Sequence, residues 1–153
     1  MSLLGFCQWL EQTGLSAAIR ESTWAFPIVE SVHVLALCLF GMLILIDLRV
    51  LDLALTRVPA PEVVSDLTPW MIAGLVVMIL SGILTFLNAP VDYYNNAMFR
   101  IKMVLLLLVA GNASIRRARR WHNAALTRSL SLMLWAGVIV AGRMITYNLL
   151  APN

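Results

Sequence analysis

The stretch PIVESVHVLALCLFGMLILI, residues 27–46, decides the fold. At about 1.5 Å per residue, a helix of this length covers the roughly 30 Å hydrocarbon core of a bilayer. It carries one carboxylate, Glu30, and one imidazole, His33, and is otherwise almost wholly apolar. Pro27 suits its N-terminus, where a missing N–H costs nothing. A charged stretch from Asp47 through Arg49 and Asp52 to Arg57 ends it.

The rest of the chain has the same character. Its 153 residues are 61% hydrophobic and 12% charged. Soluble domains carry about 45–50% apolar and about 25% charged residues. With a mean hydropathy of +0.86, this composition excludes a soluble globule, a disordered chain and a nucleic-acid-binding domain. Three more apolar stretches follow, at about 69–87, 99–115 and 130–149. The second has no charge, and Gly74, Ser81 and Gly82 give it small faces for close helix contact. Gly137 and Ala141 do the same for the fourth. Asn112 is expected to hydrogen-bond between helices. Four spans and their loops use nearly all of the chain. The expectation is an all-α membrane protein, one transmembrane domain over 1–153, built as an up-down-up-down four-helix bundle.

The first residues do not form a signal peptide, because Glu11, Gln12 and Arg20 interrupt the apolar content and no basic segment precedes it. Leu3, Phe6, Cys7 and Leu10 recur at helical spacing, opposite Gln8, Glu11 and Gln12. This predicts an amphipathic helix over 2–22 lying in the membrane interface, with Trp9 and Trp24 at headgroup level. Cys7 and Cys38 have no metal-ligand or CxxC spacing and read as small hydrophobes.

The net charge of +3 and the pI near 9.3 are a topology signal. Arg49, Arg57, Arg116, Arg117, Arg119, Arg120 and Arg128 fall on one side; Arg20, Arg100, Lys102 and Arg143 fall on the other or within spans. The first set predicts the cytoplasmic side, with both termini outside and the loop 116–128 inside. The cluster RRARR at 116–120 fixes topology or binds anionic lipid; it is too short to argue for nucleic acid.

Charges inside a bilayer cost about 2.5–3.5 kcal/mol each on insertion scales, so each one needs a reason. Glu30 and His33 share a helix face. His33 lies roughly 9 Å inward from Pro27, and Arg143 lies at a similar depth from Leu149 on a span running the other way. Lys102 is three residues in from Phe99. Glu30, His33, Lys102 and Arg143 are thus expected in one outer layer, with Tyr147 a turn further out. One reading is a salt-bridge network that fixes helix register. The other is a polar pocket open to the outer face, in which Glu30 is the counter-ion, His33 a ligand or hydrogen-bond partner, and Lys102 and Arg143 face an anion. One carboxylate does not neutralise two cations, and the surplus suits an anionic ligand or a partner's carboxylate. Asp47 is expected to pair with Arg49 or with the arginine cluster.

Metal chemistry offers two alternatives. His33 with Met144 or Met103 suits a b-type haem or copper, although methionine is also ordinary core filler. A bis-histidine haem would need His122, about 21 Å or more from His33 along the spans. No HExxH, GxSxG, GxxxxGK[ST] or GxGxxG motif is present, and no catalysis by this chain alone is expected. The partners expected are the lipid bilayer and other membrane subunits or a second copy.

The segments ESTWAFPIVESVH (21–33), DLR (47–49), FRIK (99–102), LWAG (134–137) and GRMITY (142–147), with Gly41, resemble a bacterial family of small four-helix inner-membrane proteins. That family is classed only as a domain of unknown function. The resemblance covers nearly the whole chain and implies four spans and a bacterial inner membrane, with Glu21, Pro27, Glu30, His33, Asp47, Arg49, Lys102, Arg143 and Tyr147 on the family pattern. It implies no activity. A looser similarity to copper-resistance membrane proteins carries no ligand assignment.

Overall fold

A computed structural model of the protein describes residues 2–118 and 124–150. Arg119, Arg120 and His122 lie outside the described residues, as do the side chains of Arg116 and Arg117. The protein is 87% helical, with no strand among the described residues. The helices are α1 (Leu3–Glu11), α2 (Gly14–Glu21), α3 (Ala25–Phe40), α4 (Met42–Val50), α5 (Ala60–Asn88), α6 (Pro90–Asn95), α7 (Ala97–Ala118) and α8 (Ala124–Leu150).

Four segments are long and apolar enough to cross a membrane: Ala25–Val50, Ala60–Asn88, Ala97–Ile115 and Ala125–Tyr147. All four expected spans are present, and each is longer than expected. The second begins at Ala60 rather than near Pro69, because Pro61 falls in the first turn, where no N–H is needed. Val63 N–H already donates to Pro59 O at 3.2 Å. Pro69 then sits inside the helix, where it removes a single backbone donor. The fourth helix begins at Ala124, six residues before the expected start. The first span pauses at Gly41, whose N–H donates to Leu37 O at 2.8 Å.

The segment expected as one helix over 2–22 is two helices. Thr13 breaks it: its hydroxyl donates to Leu10 O at 2.7 Å and caps α2 by accepting from Ser16 N–H at 3.4 Å. A side chain that ends one helix and starts the next favours a turn over continuation.

The chain divides into two compact units. The first holds the residues up to Leu43 together with Ser65–Asn95. In it α3 and α5 run antiparallel. A Cβ on Gly74 would stand 2.5 Å from Phe40 N, so only glycine permits this backbone approach. The short helices gather at one end: α1 packs on α6, and the fully buried Ser16 hydroxyl donates to Leu87 O at 2.7 Å. That bond satisfies a carbonyl in the last turn of α5, which has no partner within the helix. Cys7 is buried in the same unit, and Cys38 is exposed on α3.

The second unit holds Ile44–Val64 and the chain from Asn96 onward. Here α7 and α8 form an antiparallel hairpin. Its register is marked by Lys102 against Gly142, Leu105 against Gly137, and the Asn112 amide donating to Thr127 O at 3.2 Å. Asn112 is therefore the interhelical hydrogen-bonding residue that its place in an apolar span implied. The Asn96 side chain caps α7, accepting from Met98 N–H at 2.9 Å. Many large apolar side chains on the spans point away from both cores: Leu35 is 67% exposed, Leu107 71% and Met133 72%. Exposed apolar surface of this kind is what a multi-pass membrane protein presents to lipid tails.

Candidate functional site

In the first unit, α3 and α5 bring a histidine and a serine together. His33 Nδ1 lies 2.8 Å from Ser81 Oγ. The Ser81 hydroxyl has one proton, and its bond to Val77 O, at 2.6 Å, takes it. Nδ1 is then the donor to Ser81, so a neutral ring carries its lone pair on Nε2. The ring lies over Gly82, whose absent Cβ would stand 3.4 Å from His33 Cε1. The small pair Ser81-Gly82 thus supplies both room for the ring and an acceptor for its proton.

Glu30, one turn before His33, is half-buried. From α6, Tyr93 adds a buried phenol whose ring centroid is 6.1 Å from that of Phe86. Burial pushes the Tyr93 hydroxyl up from 10.0 to about 12, and the negative charges of Glu30 and Asp92 add to the shift. Glu30 is therefore close enough to Tyr93 to act on it electrostatically. The sequence marks Ser81 only as a small packing residue, and Tyr93 stands in it as one of two adjacent tyrosines, Tyr93 and Tyr94, between the second and third apolar stretches. Nothing in the local sequence separates Tyr93 from Tyr94; the packing of α1 on α6 does.

The second unit holds Lys102, Met103, Arg143, Met144 and Tyr147. The Lys102 ammonium lies on α8, with Nζ 3.5 Å from where a Gly142 Cβ would stand. Arg143 is exposed, and its guanidinium carbon sits 5.5 Å from the centroid of the Tyr147 ring. Arg143 and Tyr147, separated in the sequence by one turn, are thus brought together. Met103 and Met144, the thioethers considered beside His33, are 45% and 41% exposed. Among the described residues no three His, Cys, Asp or Glu side chains gather into a metal site.

Asp47 is completely buried and pairs with Arg128 of α8; of its two expected partners, Arg49 is engaged elsewhere, and the arginine-cluster side chains lie outside the described residues. Arg49 instead pairs with Asp52 and donates from Nε to Val58 O at 2.7 Å. It thereby closes a loop in which Asp52 and Leu55 take left-handed φ values of 55° and 53°. Asp47 heads α4's last turn, so its carboxylate reaches a neighbouring helix more readily than a residue two positions along its own.

No curated protein and no solved structure matches the chain. A family model covers residues 6–148, which is almost the entire described chain. The protein belongs to the DUF6644 family, a family of unknown function.

Proposed function

We propose that the chain is a small integral membrane subunit or binding module with an outward-facing polar site, and that it catalyses no reaction alone. The observation that carries this reading is the His33–Ser81 hydrogen bond, 2.8 Å long, between two apolar spans. A histidine in a bilayer is costly. Here two small residues of another span are given over to seating it, with Glu30 and Tyr93 close by. Under this reading Glu30 is the counter-ion and His33 a ligand or hydrogen-bond partner. In the second unit, Lys102 and Arg143 take the anion-facing role, with Tyr147 beside Arg143.

The distribution of Lys and Arg supports both termini outside and the segment 116–128 cytoplasmic; a bacterial inner membrane is what the family resemblance implies. The exposed aromatic residues Trp9, Trp24 and Trp70 fit headgroup level. The apolar residues Leu3 and Phe6, exposed on α1, fit an interfacial helix.

The test is purification of the full-length protein from membranes beside His33→Ala. A visible spectrum, elemental analysis and mass spectrometry of co-purifying subunits and small molecules are compared. The expected result is a ligand or partner held by the native chain and lost from a still-folded His33→Ala. Unchanged ligand, metal content and partner association in His33→Ala overturn the reading. A Soret band lost in His33→Ala assigns a haem site with a methionine partner in its place, and stoichiometric copper assigns a copper site.

A further inference from the structure

No Asp or Glu follows Asp92 in the chain. Helices α7 and α8 therefore carry only positive charge. At one end of their hairpin, Arg128 is neutralised by Asp47, which comes from α4. At the other end stand Arg100 and Lys102 from the start of α7 and Arg143 from the last part of α8. Within this unit neither Lys102 nor Arg143 has a hydrogen bond or ion pair with a described residue.

The geometry of Arg143 is informative. Long side chains on a helix ordinarily lean toward its N-terminus. Tyr147, four residues C-terminal, leans back over that turn in this way, and the Arg143 guanidinium carbon lies 5.5 Å from its ring centroid. Arg143 stands one turn before Tyr147, the last residue of the fourth span, so its long side chain is within reach of the headgroup level. A guanidinium lying on an aromatic face keeps its N–H fork in its own plane, available for two parallel hydrogen bonds to one anion. Tyr147 is 56% exposed, so this edge is open. The Lys102 ammonium rests on Gly142, the neighbour of Arg143, at ordinary contact distance from where a Cβ would stand.

We propose that this end of the α7–α8 hairpin binds the phosphate of an anionic phospholipid headgroup. The inference rests on the membrane placement given under Proposed function and names the ligand class for its two cations. Charge selects the occupant: the hairpin has no carboxylate of its own. Depth selects the lipid, because a snorkelling arginine near a span end meets headgroup phosphates. Arg143 supplies the bidentate contact, Lys102 the second charge, and Tyr147 the platform that holds the fork edge-on.

Native mass spectrometry of the full-length protein, released from detergent with matched phosphatidylglycerol or phosphatidylcholine, tests the site. The native chain is expected to retain phosphatidylglycerol over phosphatidylcholine by about tenfold, the scale of one charge-assisted hydrogen-bonded contact. The double variant Lys102→Gln/Arg143→Gln is expected to hold one phosphatidylglycerol fewer. Arg143→Lys keeps the charge and loses the fork, so its preference drops several-fold. A folded double variant with native lipid count and preference overturns the proposal. If that variant fails to fold, unchanged preference in Arg143→Lys overturns it instead. Displacement of the lipid by millimolar inorganic phosphate assigns a soluble anion and overturns the lipid assignment; so does a co-purifying subunit that replaces the lipid at α8. None of these readouts passes through His33. Failure here leaves the His33 reading standing, and failure of His33→Ala leaves this one.

Discussion

Arg128 and Arg143 lie on the same helix, fifteen residues or about 22 Å apart, and they are treated in opposite ways. Arg128 is three-quarters covered and meets Asp47, a carboxylate with no exposed surface at all. Arg143 is exposed and rests on the face of Tyr147. The first charge is closed by the chain itself, from a segment far away in sequence. The second is left open to whatever surrounds the molecule. A closed charge is explained by the fold, whereas an open one asks for an external partner.

The largest effect should fall on the closed pair. Asp47→Ala strands Arg128 without its carboxylate, and removing one member of a buried pair costs about 3–5 kcal/mol. Unfolding of the purified protein in detergent measures this. Asp47→Leu with Arg128→Met, which removes both charges and keeps apolar volume, should restore most of the loss. If Asp47→Ala is no more damaging than a change at Arg143, the contrast between the two ends fails.

Tyr93 tests closure in the first unit. Its hydroxyl is raised to about 12 from 10.0, so the fold favours the neutral phenol. An unfolded chain releases that proton near pH 10 and the folded chain only near pH 12. Stability from this group is therefore complete below about pH 10 and falls as pH rises through 10 to 12, by about 2–3 kcal/mol. Tyrosinate absorbance should show one phenol titrating last, and Tyr93→Phe should remove it and flatten that limb of the pH profile. A Tyr93 that ionises at the ordinary value means an open site.

Ser81→Ala should cost about 1 kcal/mol, the net worth of a neutral hydrogen bond. The sharper readout is the ring. Nitrogen NMR of labelled histidine is expected to show the Nδ1–H form of His33 in the native protein and a changed tautomer balance in Ser81→Ala. An unchanged spectrum places His33 with the open charges rather than the closed ones.

How much of this was legible beforehand follows from the range of each signal. The four spans are written in runs of apolar residues, and a run needs no partner to be seen. Their ends were less legible: proline at 61 and 69 reads as loop, yet a helix tolerates proline in its first turn and can lose one donor deeper in. The break at Thr13 was visible as a residue type, since threonine and glycine favour caps, but not as a choice between break and continuation. Lys102, His33 and Arg143 stood out because charge in an apolar span is rare. Ser81 and Tyr93 did not, because their importance comes from what stands opposite them. The Asp47–Arg128 pair joins residues 81 positions apart, a distance over which local pattern carries no information. The candidate nearest in sequence, Arg49, is occupied by Asp52 and Val58 O.

The smallest effect is the most discriminating. In a neutral detergent Arg143→Gln should alter stability by no more than about 0.5 kcal/mol, the usual range where no internal partner is lost. Its only described contact, the ring of Tyr147 at 5.5 Å, is worth little when the cation is exposed. This near-neutrality changes with the lipid supplied. A ligand that binds only the folded state stabilises it in proportion to the logarithm of its concentration over its dissociation constant. Added phosphatidylglycerol should therefore raise the native unfolding midpoint more than that of Arg143→Gln, while phosphatidylcholine separates the two far less. Asp47→Ala should show no such dependence, because its lost partner is internal and no lipid replaces it. A charge closed from within is lost equally in every solvent, and a charge closed from without is lost only where its partner is present. An Arg143→Gln deficit that is large and indifferent to lipid would move Arg143 into the same class as Arg128.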